Sequence, residues 1–200
     1  MLLFSEYDKS LENIYISQPV VDINLGDTNN YLVRFPKFKR VTHMILAFDA
    51  ENLFLKSKSS YGYFFNLESL LTDLEERENR GYFVVAVTSN SSRQKQYNPY
   101  PRGEQENFAT MHIESILEDH LPQIYGDYDI DVANLKKIVM GASMGGLMSI
   151  KTGILNPSFE NIISLSPAFW FGYPSVLHDI KNLSNESSTY CCWTIKYDVN

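Results

Sequence analysis

A single serine stands among glycines in Gly141-Ala142-Ser143-Met144-Gly145-Gly146, where a short apolar, β-branched run (Ile138-Val139-Met140) gives way to a segment of helical character, Leu147 to Leu155. Residue types and spacing both suit nucleophilic chemistry. A serine on a sharp strand-to-helix turn is held in strained backbone geometry, and only small residues fit where the two chain segments crowd together, which is what Gly141 and Gly145 provide. The turn aims the serine at the first N–H groups of the following helix, whose missing intrahelical partners and positive dipole end can steady a developing oxyanion. Ser143 is therefore the candidate nucleophile, and the Met144 N–H the first candidate oxyanion donor.

The other reactive side chains offer no competing chemistry. His43, His112, His120 and His178 form no i, i+4 pair with an acid between them, so no zinc site is expected. His112 and His120 fall on or near a helix and read as surface imidazoles. Cys191 and Cys192 are adjacent, and neighbours on a strand point to opposite faces, so they form neither a structural disulfide nor a metal-ligand spacing. No metal and no cofactor is expected. Asp49 reads as a capping or pairing residue of its loop, and Glu75, Glu76 and Glu78 as a solvated helix face. Two glycosylation sequons, Asn90-Ser91-Ser92 and Asn185-Glu186-Ser187, read as chance matches without a secretion signal.

Two hundred residues with 44% hydrophobic content suit one globular domain, 1–200, with residues 1–40 as its N-terminal antiparallel strands. A net charge of -7 and a pI near 5.1 argue against nucleic acid or an anionic membrane as partner, since either needs a clustered positive surface. A small-molecule substrate fits better; oligomeric state is left open. The start, Met1-Leu2-Leu3-Phe4-Ser5-Glu6, lacks a basic region and a long apolar run, so it reads as neither signal peptide nor span, and a cytoplasmic location is the expectation.

Periodicity supplies the elements that must hold the serine. Ile14-Tyr15-Ile16 and Tyr31 to Phe35 read as antiparallel edge strands around a Gly26-to-Asn30 turn. Met44 to Phe48 and Tyr82 to Val87 are continuous apolar runs, as expected of strands covered on both faces. Leu67, Leu70, Leu71 and Leu74 recur at helical spacing, predicting a helix to about Asn79. A second helix carries Phe108, Met111, Ile113, Ile116 and Leu117 and closes near Pro122. Ile162 to Leu165, a short helix near Ser175 to Lys181, and a strand from Tyr190 to Tyr197 complete the chain. Alternating strands and helices predict an α/β fold with a mostly parallel central sheet and helices on both faces. The C-terminal ends of the parallel strands then share one edge, which collects Asp49 to Asn52, Ser89-Asn90, Ser143 and Ser166-Pro167.

With these segments in place, the chain resembles the putative-esterase (esterase D-like) family of α/β hydrolases over roughly residues 40 to 172. The resemblance rests on Gly141 to Gly146, on Asp49-Ala50-Glu51-Asn52-Leu53-Phe54, on Leu165-Ser166-Pro167-Ala168-Phe169-Trp170, and on Arg93 with Tyr97-Asn98-Pro99. It implies a serine carboxylic-ester hydrolase working through an acyl-enzyme, with the Glu51 and Met144 backbone amides as oxyanion hole and Arg93, Tyr97, Phe169 and Trp170 at the substrate. Core packing is the alternative for Phe169 and Trp170. Ala50 stands where the family has glycine, a departure that costs on the order of a kcal/mol if the position needs positive φ. With Tyr100 and Phe171, the aromatics favour an aromatic, sugar-bearing or cyclic ester. The family order is Ser, acid, His, whereas His178 precedes the final strand. Asp198 is the candidate acid, although the family places its acid a few residues further on. The expectation is a domain truncated at its C-terminus, impaired for want of acid and histidine. An acyltransferase, or a non-catalytic binding member of the fold, is the alternative.

Overall fold

The computed structural model describes residues 2–37, 39–60, 62–101, 106–183 and 189–193. Its strands are β1 (Phe4–Glu6), β2 (Ile14–Ser17), β3 (Val20–Asp22), β4 (Asp27–Asn29), β5 (Tyr31–Arg34), β6 (His43–Phe48), β7 (Tyr82–Val87), β8 (Lys136–Ala142), β9 (Phe159–Leu165) and β10 (Thr189–Trp193). Eight of them form one sheet in the order β1-β2-β5-β7-β6-β8-β9-β10, while β3 and β4 make a separate hairpin. From β7 to β10 the neighbours run parallel; β1, β2 and β5 join antiparallel to one another and to β7. The α/β expectation holds, with one adjustment: β5 lies inside the sheet, and β1 forms that edge.

The continuous apolar runs are buried on both faces for a reason visible in their alternation. Met44, Leu46 and Phe48 of β6 join one core, shared with α3 (Phe108–Ser115), α4 (Leu121–Asp127), α5 (Met144–Leu155) and α7 (Ser175–Leu183). Ile45 and Ala47 join the other, beneath α1 (Leu67–Glu78), with Leu53, Phe54, Leu67 and Leu71. No described helix is long and apolar enough to cross a membrane.

Four local expectations are corrected. Glu75 is not on a solvated face: it is fully buried and, with the nearly buried Glu68, it holds the fully buried Arg34 of β5. The guanidinium donates through Nε to Glu68 (2.6 Å), through Nη1 and Nη2 to Glu75, and to the Tyr82 carbonyl (2.9 Å). A buried cation needs this degree of pairing to offset its desolvation, and it turns two carboxylates of α1 inward. Leu70, counted on the apolar stripe, is 50% exposed instead.

The helix expected to close at Pro122 continues to Asp127. A π turn over Ile116–His120 precedes the proline, and Leu121 N–H reaches back five residues to Ile116 O. Widening the helix there makes room for a ring that cannot donate and would crowd the carbonyl four residues before it. His112, finally, is buried rather than on the surface.

Candidate active site

Ser143 sits between β8 and α5 with φ 54° and ψ -118°, a conformation that costs a non-glycine residue on the order of 1–3 kcal/mol. Surrounding hydrogen bonds hold it there. Ser143 N–H donates to Leu165 O (2.9 Å), and the Ser143 carbonyl accepts from Gly146, Leu147 and Ala168 N–H (3.1, 3.3 and 3.0 Å). The side chain is exposed at the C-terminal end of the parallel strands. The glycines are required by contact: a Cβ on Gly141 would stand 2.2 Å from Gly145 O, and one on Gly145 would stand 2.8 Å from Asp49 Oδ2.

That last distance brings the Asp49 loop against the elbow. β6 lies beside β8, and directly after it Asp49 adopts φ 59° and ψ 52°, followed by a 3-10 turn over Ala50–Asn52. The positive φ therefore falls on Asp49 and not on Ala50, which is fully buried, so alanine carries no backbone penalty there. Asp49 is a pairing residue: Arg93 Nε and Nη2 donate to its two carboxylate oxygens, each at 2.8 Å. Its N–H donates to the Tyr97 hydroxyl at 3.3 Å. Arg93 opens α2 (Arg93–Gln96), a short helix within the polar loop after β7.

Glu51 accepts from Ser89 N–H (3.2 Å) and Ser89 Oγ (2.5 Å). Burial pushes its carboxyl up; the Ser89 bonds and its own main-chain N–H pull the other way, and the Asp49 charge adds to the rise. Any oxyanion held by the Glu51 amide shares that donor with the residue's own carboxylate.

Ser143 opens into a cavity of about 340 Å³. Phe48, Leu53, Met140 and Leu165 are apolar groups of its lining, Asp49, Asn52 and Arg93 its polar groups, and Tyr63, Phe64 and Phe65 a consecutive aromatic stretch of it. The last three escaped the sequence reading. Their signal was there, an aromatic run, Tyr61-Gly62-Tyr63-Phe64-Phe65, inside a polar segment. The aromatics named from the sequence lie elsewhere. Tyr97 is fully buried behind Asp49, edge-on to Phe48 and beneath the Arg93 guanidinium, and burial raises its phenol well above the usual range. Phe169 opens α6 (Phe169–Gly172) and packs on the core, while Trp170 is 69% exposed; neither lines the cavity. Tyr100 is buried, its hydroxyl donating to Asp179 (3.1 Å). Asp198 lies outside the described residues.

None of the four histidines lines the Ser143 cavity. His43 begins β6 at the opposite sheet edge, beside Thr42 Oγ1 (2.8 Å). His112 pairs with Asp22 (3.1 Å); burial works against the Asp22 charge, yet bonds from His112 and Gln96 hold its carboxyl down at about 2. His120 shares a 2.6 Å bond with the Tyr31 hydroxyl, and His178 is exposed on α7. Among the described residues no group of His, Cys, Asp and Glu could hold a metal ion.

A family model described as "Putative esterase" matches residues 25–189. No curated protein sequence matches the chain. Among solved structures, the siderophore hydrolase EstA from Aspergillus nidulans is 14% identical, with 98% of this chain and 76% of that one covered, at a TM-score of 0.66. The BES protein from Bacillus cereus is 18% identical, covering 94% and 76%, at 0.69. The enterobactin esterase FES from Shigella flexneri is 15% identical, covering 86% and 44%, at 0.58. At these identities the likeness is one of fold.

Proposed function

Because the chain belongs to the putative-esterase family, we propose that it is a serine carboxylic-ester hydrolase that works through an acyl-enzyme on Ser143. One observation carries the reading: an exposed serine in strained backbone geometry at a strand-to-helix junction, opening into a cavity walled by the Asp49 turn. In the proposed reaction Ser143 Oγ attacks the ester carbonyl, the bond to the alcohol breaks, and water cleaves the acyl-enzyme. The first-turn amide of Met144 has no partner four residues back within α5, which leaves it suited to the oxyanion; the Glu51 amide is the second proposed donor. Arg93, which lines the cavity while it grips Asp49, is the proposed substrate-binding cation. Asp198 is the candidate acid.

A second reading is favoured by a specific observation. No imidazole lines the cavity among the described residues, so the Ser143 hydroxyl has no general base beside it there. A chain without that base would bind esters and turn them over slowly, or serve as a binding member of the fold; an acyltransferase would use the same serine with a second nucleophile other than water. The experiment is labelling by a fluorophosphonate probe and aryl-acetate turnover, for wild type and Ser143→Ala. It is followed by a panel of acetyl, feruloyl, thioester and trilactone substrates, the last in view of the siderophore and enterobactin esterases that share the fold. Ser143-dependent labelling with turnover orders of magnitude below that of a complete Ser-His-acid site is expected. Labelling that survives Ser143→Ala rejects the assignment. A clear preference for long acyl chains rejects the compact-ester reading.

A further inference from the structure

Tyr63 is 83% exposed and Phe65 46% exposed, yet both border the cavity that holds Ser143. They present large aromatic surface to water beside the candidate nucleophile. The segment that carries them is anchored. Phe65 N–H donates to Asn52 O (2.9 Å) and Leu67 N–H to Leu53 O (2.9 Å). Asn52 Oδ1 accepts from Ser59 Oγ and from Ser60 N–H, both at 3.1 Å, and Ser59 Oγ also reaches the Tyr63 carbonyl. Both ends of the aromatic segment are thus tied to one residue of the turn that starts at Asp49. A wall fixed in this way loses little freedom when a ligand settles on it.

We propose that Tyr63 to Phe65 form the specificity-determining wall of the site, selecting esters that carry an aryl group, and that Asn52 is the positioning residue that holds this wall over Ser143. The inference rests on the reading of Ser143 as nucleophile. Phe48, Leu53, Met140 and Leu165 add apolar surface to the same cavity, on which a flat ring can settle beside the aromatics. The Phe65 end rests on the Asn52 main-chain oxygen and the Ser59-Ser60 end on its side-chain oxygen, and only the second is reproduced by an aspartate and removed by an alanine.

The test compares vinyl benzoate with vinyl acetate. Acylation of Ser143 is followed by intact mass, giving a second-order rate constant for each ester. Tyr63→Ala and Phe65→Ala are expected to lower the benzoate-to-acetate ratio about tenfold. Asn52→Ala should do the same, and Asn52→Asp should keep the wild-type ratio. The exposure of Tyr63 makes a folding failure of its alanine variant an unsuitable explanation for any change. In the Ser143→Ala background, binding of vinyl benzoate is read by ring-proton shifts and should be lost with Tyr63→Ala. An unchanged ratio, or an equal fall for both esters, overturns the wall. If wild type is not acylated but Ser143→Ala binds benzoate through Tyr63, the nucleophile reading alone fails; if neither occurs, both fail.

Discussion

Gly145→Ala tests whether the Asp49 carboxylate sets the size limit of the elbow. The added Cβ would stand 2.8 Å from Asp49 Oδ2 and 3.3 Å from Phe48 Cβ. The first contact is about half an ångström short of an ordinary one. Asp49 cannot simply yield, because Arg93 grips both of its oxygens and Tyr97 its N–H. Overpacking of this kind costs about 1–3 kcal/mol, or a loss of about 2–12 °C in Tm for a chain of this size. The shift is also transmitted to the turn beside Ser143, and a displacement of this order should slow fluorophosphonate labelling between about tenfold and a hundredfold. The decisive measurement is a double-mutant cycle by urea unfolding with Asp49→Ala. With the carboxylate gone, Gly145→Ala should become neutral or mildly stabilising, since alanine is favoured over glycine in a helix by up to about 1 kcal/mol. An equal penalty in both backgrounds would refute the argument.

Three further outcomes are expected. Arg34→Met should destabilise by about 3–5 kcal/mol, because it strands the fully buried Glu75 and leaves Glu68 only Lys37, and adding Glu68→Gln and Glu75→Gln should recover much of the loss in urea midpoints. Glu51 has its carboxyl raised in the folded state, so its contribution to stability is present below the ordinary Glu value and lost as pH rises through the raised one. Glu51→Gln should therefore gain in Tm over wild type from pH 4 to pH 7; a difference that does not grow with pH would count against it. Asp22 is shifted the other way, so its contribution is present above about pH 4 and lost towards about pH 2, and the Tm gap between wild type and Asp22→Asn should narrow over that span.

Local chemistry was legible in the sequence where it is written into adjacent residues. Gly141, Ser143 and Gly145 announce the elbow because they stand together and the crowding at Gly141 lies within the same five residues, and β6 and β7 were found because burial on both faces makes their runs almost wholly apolar. Glu75 was misread for the opposite reason. Its neighbours Glu76 and Glu78 look like a solvated face, and its partner Arg34 is 41 residues away. Aromatic identity likewise did not say which ring faces the cavity. Tyr97 was drawn behind the site by Asp49 and Phe48, while Phe65 is held by its N–H bond to the Asn52 carbonyl and Tyr63 by the Ser59 hydroxyl, contacts that carry no periodic signal.

The π turn at Ile116–His120 also resets the angular phase of its helix. Positions 112 and 120, eight residues apart, would point about 80° away from each other on a regular α-helix. Each residue of a wider turn sweeps less of the circle, so five in succession take back most of that difference. His112 and His120 consequently share one stripe and border the same small recess, with Asp22, Asn29 and Tyr31. In chain length the device amounts to one surplus residue. Deleting any single residue of the five would let the turn close at α-helical spacing with the downstream face in nearly the same phase, so Leu121 and Ile124 would keep to the core they now face. The inward face of the whole helix is continuous only because one residue in it is counted out of step.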